Sequence, residues 1–367
     1  MRFKNKVQIH SYILIPIAAV ALGAIGILFI YSASSYSAQV HYGDSFFYVK
    51  KQAIAFLIGI VMMIVGTKVK IDFFIKIKWV LFVISVILLA LVFIPGLGSA
   101  SYGATRWLDL KIITIQPSEL AKFGFMVFLA AYMADRPPTC FKNLIIPLLC
   151  GGIICGLILA EPNMSITVVV GLSMMIMLFI GGLNKKIMVL LGVLVVVAGI
   201  MLVVLEPYRM DRLTAFLDPW KTPKDEGYQL IQSYYALGSG GLFGVGLFQS
   251  RQKYLFLPFA ESDFIFSVIG EETGLFGCLS VIIIFAVYIV SGMRVAKKAD
   301  SFFSMFLATG ITSITAIQSI VNIAVVSGSI PPTGVPLPFV SFGGTSLVTF
   351  MFVSGLLYNV ARNHSAR

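Results

Sequence analysis

Apolar runs near 20 residues long recur along the chain, at about 12–31, 52–67, 79–95, 118–134, 144–160, 163–182, 187–205, 264–293, 302–327 and 344–361. A helix needs about 20 apolar residues to cross roughly 30 Å of hydrocarbon. Backbone without water to bond must close its hydrogen bonds inside the segment. The runs therefore predict an all-α polytopic membrane protein of about ten transmembrane helices, one domain spanning 1–367. Composition agrees, since 12% of the residues are charged, where soluble domains carry about 25%. The first run follows a basic start (Arg2, Lys4, Lys6) and precedes small residues at Ser32, Ala33 and Ser34, as a cleaved signal would. Its apolar core is about twice the usual signal length, so a retained first helix is expected.

Short-loop Lys and Arg set the orientation. With the N-terminus inside, the cytoplasmic set is Arg2, Lys4, Lys6, Lys68, Lys70, Lys76, Lys78, Arg136, Lys142, Lys185, Lys186, Arg294, Lys297, Lys298, Arg362 and Arg367. The short outer loops hold only Lys50, Lys51, Arg106 and Lys111, so the count is 16 against 4. Both termini are then cytoplasmic, and one long extracytoplasmic loop, 206–263, joins helices 7 and 8. The formal charge of +11 is mostly this topology signal, so no nucleic-acid partner is needed to explain it. Cys140, Cys150, Cys155 and Cys278 fall in helices or on the cytoplasmic side, so no disulfide framework is expected. His10, His41 and His364 lie near the chain ends or in the first outer loop, which argues against a His-ligated metal or a His-based triad.

Ionisable groups within or at the ends of membrane helices are costly and point to function. Here they are Glu119, Lys122, Glu161, Asp263, Glu271 and Glu272, and all but the last two lie near outer helix ends. Glu119 and Lys122 follow Gln116-Pro117-Ser118, where Pro suits a first helical turn and Ser118 can cap it. Their i, i+3 spacing allows pairing; the pair is either structural or presents Lys122 to an anionic substrate group. Gly103-Ala104-Thr105-Arg106-Trp107 reads as an outer loop, with Arg106 and Trp107 suited to interface anchoring or to gripping phosphate. The long loop carries Arg209 and Arg212, then a half-apolar stretch, Gly227 to Leu237, that suits an amphipathic helix on the membrane surface. The glycine-rich run from Gly238 to Gly246 lacks the Gly-Lys-Ser/Thr ending of a phosphate loop, and tight backbone packing is the expectation. Asp263 opens the eighth helix. It either complements the helix dipole or, entering a membrane beside a loop rich in Arg and Lys, contacts substrate or acts in catalysis. Glu271 lies about 12 Å deeper at 1.5 Å per residue; it and Glu272 are a buried proton or cation site or polar glue between helices.

Tyr31-Ser32-Ala33-Ser34, Arg106-Trp107, Gln116-Pro117-Ser118-Glu119, the run Ala236 to Gly244, Ser262-Asp263-Phe264-Ile265-Phe266 and the run Pro336 to Ser346 together resemble the SEDS family (shape, elongation, division and sporulation). Ser250-Arg251-Gln252-Lys253 and Tyr31 to Ser34 look more like its division and sporulation branch (FtsW, SpoVE) than its elongation branch (RodA). The resemblance implies a peptidoglycan glycosyltransferase that polymerises lipid II on the outer leaflet beside a class B penicillin-binding transpeptidase and other divisome or sporulation membrane proteins. It implies that Asp263 is the catalytic aspartate. Arg106, Trp107, Glu119 and Lys122 match further family positions. Arg209, Arg212, Ser262 and Ser341 complete the expected substrate contacts. Lipid II polymerisation joins a sugar hydroxyl to a glycan on polyprenyl diphosphate, so it needs a general base and positive charge for the leaving group. A divalent cation, magnesium or manganese, is one candidate for part of that charge. The chain departs from the family in three places. Glu161-Pro162-Asn163 stands where Gln-Pro-Asp is usual, Phe259-Ala260 and Ser262 replace Glu-Pro and Thr before the aspartate, and Phe342 replaces Tyr. The rival functions are a lipid II flippase or transporter, which would thread polar groups across the membrane, and a non-catalytic divisome scaffold.

Overall fold

A computed structural model of the chain describes residues 3–101, 104–109 and 114–365. Arg2, Gly103, Lys111 and Arg367 lie outside the described residues. The helices are α1 (Phe3–Tyr42), α2 (Phe47–Lys68), α3 (Ile71–Lys76), α4 (Lys78–Leu91), α5 (Pro117–Asp135), α6 (Phe141–Ala160), α7 (Met164–Ile180), α8 (Lys185–Val204), α9 (Pro207–Leu217), α10 (Tyr228–Gly240), α11 (Ile265–Lys297), α12 (Phe302–Val326) and α13 (Gly344–Ser365). Each of the ten apolar runs falls on one of them. Among the described residues seven helices are long and apolar enough to cross a membrane, and α4 and α7 are shorter apolar helices. The protein is a multi-pass membrane protein. Its outline differs from the all-α expectation in one respect. The segment expected to be a loop around Arg106 is the middle of a small antiparallel sheet, β1 (Gly98–Ser101), β2 (Ala104–Asp109) and β3 (Thr114–Ile115), in the order β1-β2-β3.

Two helices mark the extremes of burial. α5 is buried on nearly every residue from Pro117 to Met133, as expected of a helix that is apolar all round and sits inside a bundle. α8 has no buried residue. Packing at the end opposite Asp263 is tied by polar side chains: Lys78 pairs with Asp135, and Asn359 donates to the carbonyls of Gly66 (3.0 Å) and Val69 (2.6 Å).

The long loop is structured. After α9 and a short 3₁₀ turn (Pro219–Lys221), α10 buries Leu230, Ile231, Ser233, Ala236 and Gly240. Ser233 Oγ lies 2.7 Å from Ser267 Oγ and donates to the Val326 carbonyl at 2.7 Å, so α10 wedges between α11 and α12 rather than only resting on the membrane surface. The glycine-rich run packs as expected: a Cβ on Gly240 would overlap the Gly270 carbonyl. Gly274 breaks α11, with a φ of 65° that disfavours residues bearing a Cβ. The break frees backbone groups, and the loop satisfies them. Val245 and Gly246 donate to the carbonyls of Glu271 (2.9 Å) and Glu272 (3.1 Å), while Leu275 and Phe276 donate to Gly241 (2.9 Å) and Leu242 (3.3 Å). Irregular backbone is tolerated at such depth only when protein completes its bonds.

Candidate active site

Asp263 sits in the turn immediately before α11. The segment linking α12 to α13 wraps over this turn. Phe342 N donates to the Glu261 carbonyl (2.9 Å), and Ser341 Oγ donates to the Ser262 carbonyl (2.6 Å). The Asp263 side chain keeps a partly open surface while protein surrounds it. Burial pushes its carboxyl up to about 6, with the neighbouring Glu261 charge adding to the rise. Arg212 and Arg106 pull the other way.

Those two guanidiniums arrive from separate elements. Arg106, on β2, donates from Nε to the Glu161 carbonyl (3.2 Å) and from Nη2 to the Pro162 carbonyl. The sheet thus aims it at the α6–α7 turn, and partial burial lowers its pKa from the usual arginine value. Trp107 follows it on β2, half-buried and paired in register with Ser99. Arg212 rises from α9, stacks over the Tyr208 ring (4.6 Å) and donates to the Pro332 carbonyl (3.4 Å). Ser262, half-buried, lies beside the aspartate.

Other candidates take different places. Arg209 turns away and donates to the Leu202 carbonyl at the end of α8 (2.8 Å). Lys122 and Glu119 are buried completely and pair at 2.8 Å. Lys122 also donates to Gln318 Oε1 (2.8 Å) and lies 4.6 Å from the Phe350 ring centroid. That geometry is the structural ion pair of the two readings, because no face of Lys122 is left for a substrate. Ser118 does not cap α5; Gln116 holds the cap position and the Ser118 hydroxyl is buried without a partner. Ser341 uses its hydroxyl inside the linking segment, accepting from Leu337 N (2.8 Å) as it donates to Ser262. It supports the site instead of meeting substrate. Glu271 and Glu272 tie segments together as polar glue would, while Glu272 Oε2 is buried without a partner and Glu271 borders a cavity. Glu271 accepts from Ser250 Oγ and Arg251 N (2.9 Å), and Glu272 from Ser250 N (3.1 Å) and Ser32 Oγ, which pins the outer segment and α1 to the α11 break.

Glu261, Gln318 and Asn322 were not singled out from sequence, and Glu161 stood only as an ionisable group at a helix end and a departure from the family pattern. Glu261 adds a second carboxyl two residues from Asp263, itself raised by burial and opposed by His41. Gln318 and Asn322 form a buried amide pair one helical turn apart on α12, and their spacing in an apolar run was the available signal. Glu161, a known departure, is completely buried with both oxygens unpartnered, and burial pushes it up to about 8. Among the described residues no three His, Cys, Asp or Glu side chains converge to hold a metal. A separate cavity of about 560 Å³ opens between α10 and the 251–256 segment, and none of Arg106, Arg212 or Asp263 lines it.

The structure defines an integral membrane protein, a helical bundle that brings a raised aspartate within electrostatic reach of two guanidiniums at one end. The sequence model described as "Cell cycle protein", built for FtsW, RodA and SpoVE, matches residues 12–366. The chain belongs to this family. It is 39% identical to stage V sporulation protein E of Bacillus subtilis (strain 168) over 358 residues, 95% of this chain and 96% of that one. It is also 39% identical to the probable peptidoglycan glycosyltransferase FtsW of Geobacter sp. (strain M18), over 96% of this chain and 98% of the relative. Among solved structures it matches a chain from a peptidoglycan synthase complex that coordinates polymerization and crosslinking, with a TM-score of 0.79, 25% identity and coverage of 97% and 98%. The rod shape determining protein RodA of Thermus thermophilus shares the fold, with a TM-score of 0.71, 24% identity and 96% coverage of each chain.

Proposed function

We propose that Asp263 is the general base of a lipid II polymerase. The chain is a peptidoglycan glycosyltransferase, as relatives such as the Geobacter protein are named, and the observation that carries the residue assignment is the Asp263 carboxyl in the turn before α11, raised by burial to about 6 within electrostatic reach of Arg106 and Arg212. An ordinary aspartate is a weak base, and a value nearer the working pH improves proton transfer while leaving the group ionised. In the reaction the acceptor sugar's 4-hydroxyl attacks the anomeric carbon of the donor. Its proton passes to Asp263, a new glycosidic C–O bond forms, and the bond from the anomeric carbon to phosphate oxygen breaks. The polyprenyl diphosphate leaves with the electron pair, and the anomeric centre inverts. Arg106 and Arg212 supply planar donors for the diphosphate. Both substrates keep their lipid tails in the bilayer, which suits a site at helix ends.

The Lys and Arg asymmetry of the loops supports an extracytoplasmic position for this end of the bundle, on the outer side of the bacterial plasma membrane. Among the described residues no cluster of carboxylates is built to hold a magnesium or manganese ion, so such an ion would rest mainly on substrate phosphates and water. A class B penicillin-binding transpeptidase is the proposed partner, supported by the crosslinking function of the synthase complex whose chain shares this fold. Purified protein supplied with lipid II tests the reading. The wild type forms glycan strands, and Asp263→Asn loses roughly 100- to 10,000-fold of the rate. Wild-type product from the Asn variant sinks the assignment.

A further inference from the structure

One amide on α12 joins two parts of the candidate site. Asn322 is buried, and its Nδ2 donates both to the Asp263 carbonyl (2.8 Å) and to the Val335 carbonyl (2.7 Å). Its Oδ1 is buried without a hydrogen-bond partner, so the donors are what hold it. The residue before Val335 is Gly334, at a φ of 69°. A Cβ added there would lie 3.5 Å from Asp263 Oδ2, so the carboxylate faces backbone that carries no side chain. Gln318, one turn earlier, secures the next carbonyl, donating from Nε2 to Pro336 (3.0 Å).

Buried amides need partners in any fold, and a purely structural role is the plain alternative. Two features go beyond it. The carbonyls that Asn322 ties belong to the reacting residue itself and to the neighbour of the glycine that faces it. The adjacent carbonyls of Glu261 and Ser262 are held as well, by Phe342 N and Ser341 Oγ, so three successive peptide units of the turn are bonded from α12 and the linking segment.

We propose that Asn322 is a positioning residue for Asp263: its amide sets the gap between the Asp263 carboxylate and the Gly334 backbone, the opening through which the attacking hydroxyl reaches the base. This rests on the reading of Asp263 as that base. Losing the amide frees both walls of the gap at once. Catalysis is sensitive to such shifts, a misplacement of about 1 Å costing on the order of 100-fold.

The test compares wild type, Asn322→Ala, Asn322→Gln and Gly334→Ala, purified in lipid nanodiscs and supplied with lipid II. kcat and KM are expressed per folded molecule, with folding read by thermal unfolding. Asn322→Ala is expected to lose roughly 10- to 100-fold in kcat while KM stays within about twofold. Asn322→Gln, which keeps the donors on a longer arm, recovers part of the loss. Gly334→Ala lowers kcat by placing a methyl group in the opening. A structural amide would lower only the melting temperature and the yield of folded protein. Should Asn322→Ala fail to fold, Asn322→Gln read against wild type carries the comparison. Wild-type kcat per folded molecule in the Asn322 variants, with Asp263→Asn inactive, overturns the positioning role alone. Activity in Asp263→Asn overturns the base assignment and this inference with it.

Discussion

The pH dependence of polymerisation tests the raised Asp263 most directly. Its carboxyl moves from 3.8 to about 6, chiefly through burial, with Glu261 adding to the rise and Arg212 and Arg106 opposing it. A group at 6 is about 90% ionised at pH 7 and about 10% ionised at pH 5. If the base must be ionised, kcat/KM measured with lipid II rises roughly tenfold across that interval. An unperturbed aspartate near 3.9 would be more than about 90% ionised already at pH 5, and the profile would be nearly flat. The donor's doubly esterified diphosphate stays fully ionised across this range, but other groups of the enzyme titrate there, so a second variant assigns the limb. Glu261→Gln removes a like charge beside Asp263, which shifts the limb to lower pH, whereas the limb of a remote group would not move. A flat wild-type profile from pH 5 to 7, or a limb that ignores Glu261→Gln, refutes the reasoning.

Two further outcomes concern stability. Glu161 is pushed from 4.5 to about 8, so the folded state holds an extra proton between those values. Its favourable contribution is present below about 4.5 and is lost as pH rises through about 8. Thermal unfolding should therefore show wild-type stability falling from pH 5 to 8.5, with Glu161→Gln losing less; equal slopes contradict the buried, unpartnered carboxyl. Lys122→Met leaves Glu119 buried without its partner and should cost about 3–5 kcal/mol. The double variant Glu119→Gln/Lys122→Met should recover part of this in denaturant unfolding, and a single variant as stable as wild type contradicts the pair's burial.

Much of the architecture was legible in the residues. Membrane solvation makes apolar length decisive, so the ten runs landed on ten helices, and Pro117 fell at the first turn of α5 as its fixed φ suggests. The glycine-rich run was readable as close backbone packing because it had no phosphate-loop ending. The strands around Arg106 were not readable, since they are short and their pairing is set by partners outside the local pattern. Roles within the candidate site were legible unevenly. Residue type and position nominate Asp263, Arg106 and Arg212. The same signals nominated Lys122, Arg209 and Ser341, whose side chains bond to Glu119 and Gln318, to the Leu202 carbonyl of α8, and to Leu337 and Ser262.

The sequence by itself determined that this chain is a bundle of apolar helices, with four of the six ionisable residues in or at the ends of those helices lying near one end. The cost of unpaired backbone and charge in hydrocarbon leaves few alternatives, and that cost is local. Only the tertiary structure decided which charges meet. Asp263, Arg106 and Arg212 come from the turn before α11, from β2 and from α9. Asn322 reaches Asp263 across 59 residues of chain. Side-chain burial and hydrogen-bond partnership between such distant segments depend on how the helices pack, which no local pattern encodes.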